Sequence, residues 1–398
     1  MIQSQSVFKD ETKLDISYVP QRLPHRDYEL RLLMEFFSFA LQFPGKMTQR
    51  VIIAGDVGTG KTVLSQRFGF DVTREASKRN IKLRYIHVNC RQYKGSLFFI
   101  LQHAALTFHP NLPRRGYSAE ELLGIFLQIL DEENAYVILA LDEFESLIQR
   151  EGSEAVYKLT RLQELRQNTL QRLSLICILR DLKAIERLDA GTRSTLQSNI
   201  IKLEGYSKRQ LVDILNDRVS LAFKPLAVPE DTINLVADLA SSEGGNARFA
   251  IELLWRAGKY ADAEGSSVVT PENVRKAISS VIPIRKSELS LLSFHEKLFL
   301  LGLARIFKGS QRASVTLTEA EQAYAVVCEE FNEKPHSHTQ LWKHLQSLSI
   351  MGIVKTEVSS VGTRGRSTLV YLPRISADEL NKELQAILEK EEDENLWN

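Results

Sequence analysis

The run Gly55-Asp56-Val57-Gly58-Thr59-Gly60-Lys61-Thr62-Val63 follows the apolar stretch RVIIAGD (50–56) and opens a helical pattern at Lys61. These residue types at this spacing suit phosphate. Glycines let the backbone wrap so that successive N–H groups face anionic oxygens, and a helix starting there turns its positive dipole end to the same anion. Lys61 would reach the β- and γ-phosphates of ATP, or the β-phosphate of ADP, and the Thr62 hydroxyl would ligate Mg²⁺. A second constellation is VILALDEF (137–144), an apolar strand that ends in Asp142 and Glu143. A buried strand of this kind delivers its terminal carboxylates to the sheet's carboxyl edge, where ligands bind in open α/β folds. There Asp142 would hold Mg²⁺ through water, and Glu143 would orient or deprotonate the attacking water.

Three further sets of residues carry weaker signals. Gly244-Gly245-Asn246-Ala247-Arg248 opens another helix. Arg248 could reach the γ-phosphate from there and report nucleotide state, or it could be an ordinary surface arginine. The region 336–374 holds Lys343, Lys355, Arg364, Arg366 and Arg374 against Glu357 alone. Arg364 and Arg366 at a glycine-bearing hairpin tip suit insertion into a DNA groove. The helix 337–350 would then be the recognition helix, with Ser337, His338, Thr339, Gln340 and Lys343 near its exposed start. The alternative is a winged helix that meets protein and whose basic wing is merely soluble. The eight histidines show no ligand spacing, and no serine or cysteine sits in a recognisable nucleophile setting.

The elements that must position these residues alternate in type. Strand runs RVIIAGD, LRYIHVNC (83–90), YVILALDEF (136–144) and LSLICILRD (173–181) are separated by helical patterns. That order predicts a parallel sheet covered on both faces. From about Ser207 the pattern is wholly helical, and Thr270-Pro271 reads as a helix cap followed by a first-turn proline. After Pro283 three helices precede IVKTEV and STLVYL, which flank SSVGTRGR in a winged-helix pattern. From Asp378 an amphipathic helix carries eight acidic residues and two lysines.

Composition bounds the function classes. A chain of 398 residues suits two or three domains at roughly 100–200 residues each. Lys+Arg 51 against Asp+Glu 50 gives a net charge of +1, which excludes a globally basic DNA-coating protein but allows a local basic patch. Three dispersed cysteines fit neither a zinc site nor a disulfide framework, and suit a reducing compartment. With no apolar run of the roughly 20 residues that span a bilayer and no signal peptide, the expectation is a soluble cytoplasmic, nucleoid-associated protein.

In this order the motifs resemble the archaeal replication-initiator family of AAA+ ATPases, relatives of the largest origin-recognition-complex subunit and of the cell-division-cycle helicase loader. The resemblance runs from about Tyr18 to Tyr371. YVPQRLPHRDYEL (18–30) resembles the family segment that packs around adenine, which implies nucleotide contacts for Tyr18, Val19 and Arg26. VNCRQYKG (88–95) and LPRRGYSAEEL (112–122) flank a stretch similar to the initiator-specific helical insertion. That insertion touches DNA in the family, which implies DNA contacts for Lys94, Arg114 and Arg115. RDLKAIERLD (180–189) and RSTL (193–196) resemble the first-sensor and finger region, and GGNAR (244–248) resembles the second sensor. Two positions depart from the family pattern. Arg180 stands where a polar Asn is usual, and Ala190-Gly191 replaces Pro-Arg, leaving Arg193 as the nearest arginine.

The expected architecture is an α/β AAA+ nucleotide-binding domain (16–204) after an N-terminal tail (1–15), a helical lid (205–284), and a winged-helix DNA-binding domain with an acidic C-terminal helix (285–398). The function this implies is ATP-dependent recognition of double-stranded origin DNA and recruitment of the replicative minichromosome-maintenance helicase, together with other initiator paralogues. Hydrolysis would be weak or partner-dependent, with Glu143, Asp142, Arg180 and Arg248 as its candidate residues. Rival readings are a regulatory ATPase that uses the winged helix on protein, and a clamp-loader-like assembly ATPase.

Overall fold

The computed structural model describes residues 6–165, 170–196, 199–280, 286–308, 310, 312–359 and 367–396. They form two compact units: residues 19–206 with 245–248, and the residues up to 18 with 207–244 and those from 249 onward.

The first unit is built on five strands, β1 (Arg50–Gly55), β2 (Leu83–Asn89), β3 (Tyr136–Asp142), β4 (Leu173–Leu179) and β5 (Ile200–Leu203). All pair in parallel, in the order β2-β3-β4-β1-β5. Near-continuous aliphatic runs explain this, because both faces must be covered: all seven residues of β4 are buried. Side chains alternate between the faces. Ile52, Leu139, Leu141, Leu175 and Cys177 enter one core, with helices Leu97–Leu106 and Ala119–Glu132. Ile53, Ile138, Ala140, Ile176 and Ile178 enter the other, with helices Asp27–Gln42 and Lys61–Lys78. Register then places the functional ends side by side. Asn89 lies opposite Asp142, and Ala54 opposite Leu179, so Gly55, Asp142 and Arg180 share the carboxyl edge.

The second unit is helical at first. Its helices Lys208–Ala222 and Pro271–Ser279 begin with capping boxes, Ser207 with Gln210 and Thr270 with Asn273, the latter carrying Pro271 in its first turn. The N-terminal tail (1–15) is, from Ser6 onward, packed into this unit. Asp262 accepts from the Ser6 hydroxyl at 2.6 Å and the Val7 N–H at 2.7 Å, and the Phe8 ring packs on Phe223 at 4.8 Å. The buried Phe8–Phe223 contact and the bonds to Asp262 outweigh the polar character of the surrounding residues.

The winged helix follows in the same unit. Helices Phe294–Phe307, Leu317–Glu330 and His338–Ile350 precede an antiparallel sheet of β6 (Ser314–Thr316), β7 (Lys355–Ser359) and β8 (Ser367–Tyr371), in the order β6-β8-β7. The hairpin tip with Arg364 and Arg366 lies outside the described residues. Helix Ala377–Leu396 buries Leu380, Leu384 and Leu388, spaced four apart, in the winged-helix core. Arg275 of helix Pro271–Ser279 has no exposure. It donates to the carbonyls of Leu372 at 2.9 Å and Ala313 at 3.1 Å, pairs with Glu272 at 3.2 Å, and covers the Phe307 ring at 4.5 Å. A buried guanidinium satisfied this fully ties the lid helices to the winged helix as one body. No helix among the described residues is long and apolar enough to cross a membrane.

Candidate nucleotide site and nucleic-acid surface

The phosphate loop occupies the turn between β1 and helix Lys61–Lys78. Gly58 and Gly60 have φ of +79° and +90°, the left-handed region where glycine costs least. Lys61 Nζ donates to the carbonyls of Gly55 at 2.6 Å and Asp56 at 2.7 Å. Burial lowers its pKa, and the carboxylates of Asp142 and Glu145 oppose that shift. Thr59 is buried and its hydroxyl donates to the Asp56 carbonyl, while Asp56 and Val57 are exposed on the loop's outer turn. Val63 is half-buried, one turn into the helix.

Thr62 and Asp142, 80 residues apart, are brought together: the hydroxyl donates to Oδ2 at 2.7 Å. Two hard oxygen donors so placed suit Mg²⁺, which accepts few protein ligands and keeps several waters. His87 Nε2 comes within 3.3 Å of the same oxygen, in an approach too bent for an aligned hydrogen bond, and the Glu143 N–H donates to Oδ1 at 2.8 Å. Burial pushes the Asp142 carboxyl up, but His87, Thr62 and the Glu143 N–H together hold it below the ordinary aspartate value. Asp142 is thus anionic at neutral pH, as a metal ligand requires.

Glu143 adopts φ of +49°, left-handed for a residue that carries a Cβ. Its carboxylate lies between two guanidinium groups, Arg180 at 3.6 Å and Arg91 at 4.0 Å. Arg180 also approaches Glu145 at 3.7 Å, and burial raises the Glu145 pKa. Arg248 is exposed in the first turn of helix Ala247–Ala263. Arg193 is half-buried in helix Ala190–Leu196. Arg26, placed by resemblance in the segment that packs around adenine, is buried and donates to the Thr59 carbonyl of the phosphate loop at 3.0 Å. Val19 is half-buried in the same unit. Tyr18 belongs to the other unit, its ring between Lys13 and Arg218 at 4.6 and 4.9 Å.

The expected DNA contacts fall into two groups. In the first unit Lys94, Arg114 and Arg115 are exposed. Arg150 grips the Lys94 carbonyl and Gln102 grips the Arg114 carbonyl, each at 2.8 Å, so neighbours fix the backbone and leave the cations outward. In the second unit Ser337, His338, Thr339, Gln340 and Lys343 all lie exposed at the start of helix His338–Ile350. Ser337 and Gln340 are engaged in that helix's cap, where the Gln340 side chain accepts from the Ser337 N–H at 3.1 Å, and His338 pairs with Glu321. Thr339 and Lys343 are thus the better-placed pair. Two cations of the basic region are neutralised internally: Lys355 by Asp238 and Glu357 at 2.9 and 2.8 Å, and Arg374 by Glu243 at 3.4 Å.

Folding brings three of the histidines together without giving them the makeup of a metal site. Folding stacks His336 on His295 with ring centroids 3.6 Å apart, and His336 Nδ1 lies 3.0 Å from His344 Nε2. Two of these residues are separated by a whole helix in sequence, which hid the cluster. It forms no metal-holding group among the described residues. Tyr206, which belongs to no strand and carries no charge, escapes the sequence reading, and Asn246 enters it only as part of GGNAR; both lie beside the phosphate loop.

Three family models match in order: an AAA domain over residues 47–186, the Cdc6 AAA+ ATPase-type lid domain over 212–279, and the CDC6 C-terminal winged helix domain over 287–382. An ORC1-type DNA replication protein 2 of Sulfolobus acidocaldarius is 33% identical over 94% of this chain and 92% of its own length. The crystal structure of Cdc6p from Pyrobaculum aerophilum is 30% identical, covers 97% of this chain and all of its own, and superposes with a TM-score of 0.84. An Aeropyrum pernix ORC1 protein in complex with DNA is 28% identical, covers 94% of this chain and 97% of its own, and gives a TM-score of 0.62. With its parallel-sheet AAA+ domain, helical lid and winged helix, this chain belongs to the Cdc6/ORC1-type family of DNA replication initiator proteins.

Proposed function

We propose that this protein binds ATP or ADP with Mg²⁺ and uses the nucleotide to control its hold on double-stranded origin DNA, marking origins where other initiator paralogues and the replicative minichromosome-maintenance helicase assemble. It would act in the cytoplasm, on the nucleoid. The observation that carries the nucleotide part is the meeting of Thr62 and Asp142 at 2.7 Å beside a glycine loop that places Lys61 at its end. Mg²⁺, when bound, would neutralise charge between the β- and γ-phosphates. Thr62 and Asp142 would hold it, Lys61 would bind the phosphate oxygens, and Glu143 would orient water. Arg248, exposed at a helix start, is free to reach toward an anion. The DNA part is supported by outward cations on both units and by a relative solved in complex with DNA.

A footprint on the protein's own genomic DNA, with ATP and with ADP, tests this reading. Lys61→Ala should keep the fold, weaken ADP binding about a hundredfold or more, and erase the difference between the two footprints. Unchanged ADP affinity in the folded variant would refute the assigned site. Nucleotide-sensitive binding to a protein partner with no duplex binding would favour the regulatory ATPase.

A further inference from the structure

The phosphate loop is held by residues that lie outside the Gly55–Val63 run itself. The Gly58 carbonyl accepts from the Ala247 N–H at 3.1 Å. The Thr59 carbonyl accepts from Arg26 Nη2 at 3.0 Å and Nε at 3.3 Å. In a planar trans peptide the carbonyl of one residue and the N–H of the next point in opposite directions. Fixing the carbonyls of Gly58 and Thr59 therefore turns the N–H groups of Thr59 and Gly60 to the other side, as a phosphate nest requires.

Two side chains keep this grip in place. Asn246 packs directly on Gly58, where a Cβ would fall 1.8 Å from Asn246 Oδ1 and 3.0 Å from its Cα. Tyr206 does the same at Gly60, where a Cβ would fall 2.7 Å from its hydroxyl oxygen. That hydroxyl accepts from Arg26 Nε at 3.0 Å, and the tyrosine ring lies under the Arg26 guanidinium at 4.2 Å. The Tyr206 N–H donates to the Gly245 carbonyl at 3.0 Å, and Gly245 meets the Tyr206 backbone so closely that a Cβ would fall 2.3 Å from its oxygen. Asn246, Ala247, Tyr206 and Arg26 thus form one buttress within the nucleotide-binding unit.

We infer that Asn246 and Tyr206 are positioning residues for nucleotide: they hold the phosphate loop with its amides already turned inward, and so reduce the ordering that binding a di- or triphosphate would otherwise require. The inference rests on the nucleotide reading of the loop. Tyr206→Phe keeps the ring and removes the hydroxyl, while Asn246→Ala removes the side chain on Gly58 but keeps the Ala247 N–H.

The test measures ADP affinity, melting temperature and hydrogen exchange of the 55–61 segment in the full chain. Both variants should bind ADP about tenfold more weakly, with faster exchange in that segment and an unchanged melting temperature. A merely structural role would lower the melting temperature and leave the affinity of the folded fraction intact. A second arm uses the contact at Gly58. Gly58→Ala should impair ADP binding through both its positive φ and its clash with Asn246, and adding Asn246→Gly should recover about threefold or more by removing the clash. Wild-type affinity in Tyr206→Phe and Asn246→Ala, or no recovery in the double variant, would overturn the inference while leaving the site itself standing. Equal ADP binding by wild type and Lys61→Ala would instead bring down the nucleotide reading, and this inference with it.

Discussion

Glu143 shows how one substitution alters the chemistry of a site without disturbing its fold. A left-handed backbone turns its side chain away from the strand, between Arg91 and Arg180. A neutral amide in place of Arg180 could orient water and leave the carboxylate free. On the proposed role of Glu143, the guanidinium would compete for the oxygen that faces the attacking water, and Glu143 would have to release it before acting. Each pair is part-exposed and individually weak, so the brake is on rate rather than stability. Turnover by the isolated protein should therefore fall below about 1 per second, the low end of ordinary enzymes. Arg180→Asn should raise it several-fold, and Glu143→Gln should abolish it in either background. A phosphate-release assay checks this. A drop in turnover for Arg180→Asn would mean that Arg180 works on the phosphates and does not restrain Glu143.

Elements differ in how far their contents could be read from sequence. The phosphate loop and the Asp142-Glu143 strand end are local in the chain, so residue types and spacing were enough to find them. The parallel sheet was equally legible, because strands buried on both faces leave aliphatic runs that little else produces. Arg26 and Tyr206, by contrast, are 180 residues apart and meet only because β5 ends beside the loop. The histidine stack is of the same kind. His295 opens helix Phe294–Phe307, His344 lies in helix His338–Ile350, and His336 precedes the latter in the connecting segment. His295 Nδ1 contacts the Tyr324 hydroxyl at 2.8 Å, and Glu296 faces His344 at 3.9 Å. Burial lowers the pKa of both His295 and His344, and neighbouring imidazoles lower them further. A histidine with its folded pKa below the unfolded one stabilises most when neutral, above the unfolded value of about 6.5, and loses that contribution as pH falls. Glu296 is shifted down as well, but its contribution is lost only below its ordinary value of 4.5. Thermal stability of the second unit should thus decline from about pH 6.5 to 5, and His344→Gln should flatten that decline. Parallel melting curves for variant and wild type across this range would show that the stack does not titrate with folding.

At the scale of the whole molecule, a net charge of +1 gives no general attraction to DNA, and the acidic helix Ala377–Leu396 adds local repulsion. On the proposed function, affinity for DNA would come from small outward patches, and exposed cations lie on each unit. Lys94, Arg114 and Arg115 are exposed on the first, with their backbone carbonyls held by neighbours. Thr339 and Lys343 are exposed on the second, while Lys355 and Arg374 in the same unit are spent on internal carboxylates. If both patches engage one duplex, binding by one would raise the effective concentration of the other. Each lysine or arginine on a phosphate contributes about 0.9 to the slope of log affinity against log salt. Replacing Lys94, Arg114 and Arg115 with Ala should therefore reduce that slope by about 3 if all three contact phosphates, and Lys343→Ala should reduce it by about 1. Because the patches belong to separate units, the combined variant should lose about the sum of the two slopes. Lys355→Ala, by contrast, should leave the slope unchanged, since that lysine already faces Asp238 and Glu357. Salt titrations of duplex binding separate these outcomes. If the triple variant overlays wild type while Lys343→Ala does not, DNA contact resides in the winged helix alone. If Lys355→Ala changes the slope as much as Lys343→Ala, the internal ion pairs open on binding, and the wing contributes more charge than its free conformation shows.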